Sequence, residues 1–150
     1  MTIIHSDMQA AYSKARQKRS ELQAKLRNAA AELMREYIDS LKPDVGNAKD
    51  YVVIAEMIND HCERKPITGI ELSQDKALRF LITTTIDGSP LAKFIISVSI
   101  MMRAEDGSLS ITVESDPLPI IVLGDGTEDR FYEVVEKIKS TILTKIELIA

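Results

Sequence analysis

Asp60-His61-Cys62-Glu63 gathers, in four consecutive positions, every residue type that holds a zinc ion or activates a thiol. Spacing argues against both. The segment is expected to be helical, and neighbouring residues on a helix point about 100° apart, so that convergent ligand pairs sit at i, i+3 or i+4. His61 and Cys62 then diverge, and only Asp60 and Glu63 share a face. Cys62 reads as a small apolar residue of the core, with its neighbours at a solvated helix end. The stretch 124–130, GDGTEDR, lies between an expected strand and an expected helix, as a phosphate loop does. It lacks the Lys and the spacing of G-x-x-x-x-G-K-[ST], and Asp125, Glu128 and Asp129 would repel a phosphate. The alternating acids of a calcium loop are also missing. G-x-S-x-G, H-E-x-x-H and C-x-x-C do not occur in the sequence. The sequence therefore nominates no catalytic residue, no metal ligand and no cofactor site, and a non-enzymatic protein is expected.

Charge offers a different chemistry. KARQKRSELQAKLR, residues 14–27, holds six Lys/Arg and one Glu, a net of +5 in a chain whose formal net charge is −4. Everything else carries 13 Lys/Arg against 22 Asp/Glu, a net of −9. With Lys14 at 0° on a helical wheel, Lys18 and Lys25 lie at about 40° and 20°, and Arg16 and Arg27 at about 200° and 220°. Leu22 and Leu26 centre near 100° with Arg19 beside them, so the cations flank an apolar seam. Duplex binding gathers cations on one face, and only 5% of the residues are aromatic for stacking on single strands. Flanking cations suit a protein interface, where Lys and Arg stems extend an apolar strip and their heads meet acids at the rim. The expected partner-binding residues are Lys14, Arg16, Lys18, Arg19, Leu22, Lys25, Leu26 and Arg27. The leading expectation is a protein-interaction module of adaptor or inhibitor type, acting as a homodimer. Nucleic-acid association through the same cations is the alternative, and a small ligand on the polar sheet face is the second.

These residues must be positioned by a single α+β domain, 1–150. From Ser6 to Leu41 there is no Gly or Pro, and Pro43 stops the run. Met8, Tyr12, Ala15, Leu22, Leu26, Ala29 and Leu33 follow alternating four- and three-residue spacings, a coiled-coil-like seam interrupted by Arg19. Residues 6–41 as one helix run roughly 54 Å, against a diameter of about 38 Å for a compact chain of this length. The N-terminal, basic half of this helix is therefore expected to project as an arm. A symmetric parallel coiled coil is weakly specified, because Lys18 and Lys25 would meet Gln23 and Ala30 of a second chain, with no attractive pair.

A second helix is expected at 48–63, capped by Asn47, with Tyr51, Ile54, Ala55, Ile58 and Cys62 as its stripe. Five period-2 sets follow and predict a five-stranded antiparallel meander. They are Ile70 and Leu72; Leu78 to Ile86; Phe94 to Met102; Leu109 to Val113; and Leu118 to Val122. Asp106-Gly107 fits a two-residue type I′ turn opposing Met102 to Ile111 and Ile100 to Val113. A three-residue Gly88-Ser89-Pro90 loop would oppose Ile82 to Ile96 and Phe80 to Val98. Pro119 suits an edge strand. A last helix at 128–147, capped by Thr127, should cover one sheet face with Phe131, Val134, Val135, Ile138, Ile142 and Ile146.

One cysteine permits no internal disulfide, which suits a reducing compartment and a cytoplasmic location. The N-terminus has no signal-peptide pattern, and no apolar run approaches the ~20 residues of a membrane span.

Overall fold

The computed structural model describes residues 2–41, 51–87, 89, 91, 93–124 and 129–149. Helix α1 (His5–Ser40) is unbroken over 36 residues. Its start is held by Asp7, whose Oδ2 accepts the Ile4 N–H at 3.0 Å. Strands β1 (Val52–Ile58), β2 (His61–Arg64), β3 (Leu78–Asp87), β4 (Phe94–Glu105), β5 (Ser108–Val113) and β6 (Ile120–Val122) form one sheet in the order β2-β1-β3-β4-β5-β6. Every pairing is antiparallel. Helix α2 (Tyr132–Glu147) closes the described chain. The class is α+β, and the described residues form six strands and two helices rather than five and three.

The expected helix at 48–63 is the principal correction. Its cap Asn47 lies outside the described residues, and Val52 onward is a β-hairpin. Val52, Val53, Ile54 and Ile58 are β-branched, which favours a strand. Asn59 and Asp60 both take positive φ, 49° and 65°, the backbone of a two-residue type I′ turn. Pairing of Val52 with Thr84 and Ile54 with Ile82 carries β1 into the sheet. Cys62 is consequently exposed on an edge strand and not part of the core.

Ile70 and Leu72 form no strand. They are buried, 1% and 6% exposed, in the connection from β2 past β1 to β3, which also holds a 3₁₀ turn at Ile67–Gly69. Their alternation is one of burial beneath α1, without ladder partners.

The remaining registers follow the apolar alternation. Asp106 (φ 43°) and Gly107 (φ 82°) make the expected type I′ turn, opposing Met102 to Ile111 and Ile100 to Val113. Between β3 and β4 the faces are as expected but the partners slide by two: Phe80 opposes Ile100, and Ile82 opposes Val98, with an irregularity between Thr85 and Asp87. The connection is longer than three residues; Gly88 and Pro90 lie outside the described ones. A two-residue slide keeps every side chain on its face, so apolar alternation alone cannot detect it. The last strand starts later than expected, leaving Leu118 76% exposed; Pro119 sits immediately before this edge strand, where no ladder N–H is needed.

One apolar layer joins the elements. Phe80, Ile82, Val98, Ile100, Met102 and Ile111 on the sheet meet Leu26, Leu33 and Tyr37 of α1 and Val134, Ile138 and Ile142 of α2. Full burial of a side chain such as Leu33 stabilises by about 1.5–3 kcal/mol. The start of α2 is docked on α1: Arg130 pairs with Glu32 at 2.8 Å, and the Phe131 N–H donates to Glu36 Oε2 at 3.1 Å. Burial pushes the Glu36 carboxyl pKa up, against that hydrogen bond. Thr127, the expected cap, lies outside the described residues. Among the described residues, no helix lies over the opposite sheet face.

Candidate interaction surface

α1 divides at its middle. Every residue from Thr2 to Glu21 is exposed, whereas Leu26, Ala30, Leu33 and Tyr37 are fully buried. Both halves share one seam, because Ile4, Met8, Ala15, Leu22, Leu26 and Leu33 recur at helical spacing. On the outer half this seam is bare: Ile4 is 56% exposed, Met8 60% and Tyr12 67%.

The eight expected binding residues separate into two groups. Leu26 is a core residue, and Leu22 is half-buried against the core. Arg19 Nη2 donates to Leu72 O at 2.8 Å and Ser73 O at 3.1 Å. Arg27 Nε donates to Ile70 O at 2.8 Å. Gln23 completes this series at four-residue steps, its Oε1 accepting the Leu72 N–H at 3.1 Å. Three side chains thus satisfy the backbone of a segment that has no strand beside it. Lys14, Arg16, Lys18 and Lys25 are exposed and make no ion pair among the described residues. Sequence patterning finds the cations but not their targets, because side-chain bonds to a distant backbone leave no periodic trace.

Where the arm leaves the body, Ala15, Lys18, Arg19, Leu22 and Lys76 line a concavity of about 350 Å³. Among the described residues its lining has three cations and no acid, since the carboxylate next in sequence, Asp75, is turned to other partners. Arg79 binds Asp75 with both nitrogens at 2.8 and 2.7 Å, and Arg103 binds it at 2.5 Å. The Arg79 hydrogen bonds, aided by Ser73 and Arg103, hold the Asp75 carboxyl pKa far below the usual range.

The open sheet face carries a larger concavity, about 640 Å³, bounded by Met57, Leu81, Met101, Glu71, Arg79 and Glu114 among others. Near one rim Glu56 lies directly opposite Glu63 across the β1–β2 ladder, a like-charge pair that weakens a hairpin. Lys65 offsets it through Glu56 at 2.9 Å. The Lys65 pKa is raised first by that bond and then by the charges of Glu56, Glu63 and Glu71.

No known protein family, curated protein or solved structure matches the chain. Among the described residues no three His, Cys, Asp or Glu side chains are grouped to hold a metal ion, and no helix is long and apolar enough to cross a membrane.

Proposed function

We propose that this chain is a non-enzymatic protein-interaction module that acts through its N-terminal helix and works as a homodimer. One observation supports the reading above others: the seam that is fully buried at Leu26 and Leu33 continues outward as Met8 and Tyr12, each at least 60% exposed. Exposed apolar side chains in a contiguous row at helical spacing mark an interaction site. Lys14, Arg16 and Lys18 flank this row without acid partners among the described residues, as rim charges of an interface do.

Light scattering and sedimentation test the reading. The full chain is expected to be a dimer at micromolar concentration, and Met8→Asp with Tyr12→Asp is expected to give a folded monomer. A wild-type monomer would refute the homodimer. The acid-free concavity of Lys18, Arg19 and Lys76 favours a second reading, association with nucleic acid. It requires binding to a duplex or single-stranded oligonucleotide that weakens steeply with salt.

A further inference from the structure

Two surfaces that the described residues leave uncovered are complementary in charge and in apolar character. The arm offers Ile4, Met8, Tyr12 and Ala15 in a row, flanked by Lys14 and Lys18. The open sheet face offers a concavity with an apolar floor that includes Leu81, Met101 and the 57%-exposed Met57. Glu56 and Glu71 line it, and Glu63 faces Glu56 across the β1–β2 ladder; of the three, only Glu56 makes an ion pair among the described residues. Arm against arm is a poor alternative. Residues 5–20 carry four Lys/Arg against one Asp, so two paired arms set cation against cation, and like-charge juxtaposition across an interface is strongly unfavourable.

We infer that the arm of one copy lies in the open-face concavity of a second copy, with Lys14 and Lys18 directed at Glu63 and Glu71 of that copy. The inference rests on the homodimer proposed above and names its receptor surface. A two-fold axis produces the contact twice. An arm of residues 4–18 is about 22 Å long and about 10–12 Å wide. Two arms in two concavities cover roughly 1,000 Å² over the four surfaces, the threshold for a specific interface. A dimer held by that area is reversible, and its dissociation constant is measurable by sedimentation.

The like-charge ladder of Glu56 and Glu63 acquires a purpose in this arrangement. Hairpin β1–β2 tolerates facing carboxylates because the assembled dimer brings cations to them. Lys65 covers one carboxylate in the isolated chain, and the partner's arm covers the others.

A charge exchange on the full-length protein tests the docking. Lys14→Glu with Lys18→Glu, and separately Glu63→Lys with Glu71→Lys, should each raise the dimer dissociation constant by on the order of tenfold or more. All four positions are exposed, so folding should survive, and a thermal melt checks it. The protein carrying all four exchanges should regain most of the wild-type affinity. Met57→Asp should also weaken the dimer while leaving the melt unchanged. A dimer that responds to the lysine exchange and to Met8→Asp, but not to the glutamate exchange or Met57→Asp, overturns this docking and leaves the arm-mediated dimer standing. A wild-type monomer overturns both. Failure of the four-fold exchange to restore affinity when each pair weakens it also overturns the pairing.

Discussion

Tyr37 and Thr84 show how a polar pair is accommodated in an apolar layer. Tyr37 is fully buried and Thr84 is 5% exposed, and their hydroxyls lie 2.7 Å apart. Burial also pushes the Tyr37 phenol pKa up, so it stays neutral. Tyr37→Phe strands the Thr84 hydroxyl and should destabilise by about 1–3 kcal/mol in urea unfolding. Thr84→Val in the same background should recover part of that loss, giving a double-mutant cycle well short of additivity. Asp75 supports a prediction of a different kind. Its folded pKa is lowered by Arg79, so the stability it contributes is complete above the unfolded aspartate pKa and is lost as pH falls toward the folded value. Asp75→Asn should therefore melt lower than wild type at pH 7. The gap should narrow as pH drops below about 4; a gap independent of pH would contradict this coupling. Neither pair was visible in the sequence. Tyr37 and Thr84 are 47 residues apart, and only the folded topology makes them neighbours.

Elements were legible where local chemistry and periodicity agreed. Asp106-Gly107 satisfied both the turn rule and the facing of Met102 and Ile111. At 51–62 they disagreed, because a helical stripe through Ile54 and Ile58 coexisted with β-branched Val52, Val53 and Ile54 and with an Asn-Asp turn pair. Pairing with β3 decided for the strand, since tertiary partners outweigh local propensity. The segment 70–73 belongs to neither class: α1 substitutes for a neighbouring strand through Arg19, Gln23 and Arg27. Arg27→Ala leaves the Ile70 carbonyl without that bond and should destabilise by about 1–3 kcal/mol. Hydrogen exchange should rise first in residues 67–77, before the β3–β4 ladder. Uniform exchange throughout the chain would show that the series does not act as a local clamp. On the sheet, Ile100→Asp places a charge at a 2%-exposed position and should unfold the protein, whereas Ser99→Asp on the other face should be much milder. Equal losses in thermal melts would contradict the two-faced sheet.

For the whole molecule, helix length against domain size made the arm expected before any contact was known. Its anchoring was hidden, and that moves the boundary of the separable part. Leu26 is fully buried, and Arg19 and Arg27 hold the 70–73 segment, so removal of residues 1–27 would open the core. Removal of residues 2–17 retains every one of these contacts. The shorter chain should melt within a few degrees of the full protein and sediment as a monomer, whereas the longer deletion should lose cooperative unfolding.

The helices that close the core lie far apart along the chain: Arg130 meets Glu32 across 98 positions. During synthesis, hairpins with two-residue turns need only local encounters, but α1 must wait for residues 131–146 before Leu26, Leu33 and Tyr37 gain their full cover. Throughout that interval Leu26, Leu33 and Tyr37 have only the sheet to cover them, and their flank toward α2 is open to solvent. The apolar strip left bare at that stage is longer than that of the native arm, and the nascent chain is most vulnerable to chaperone capture or mispairing before α2 emerges from the ribosome.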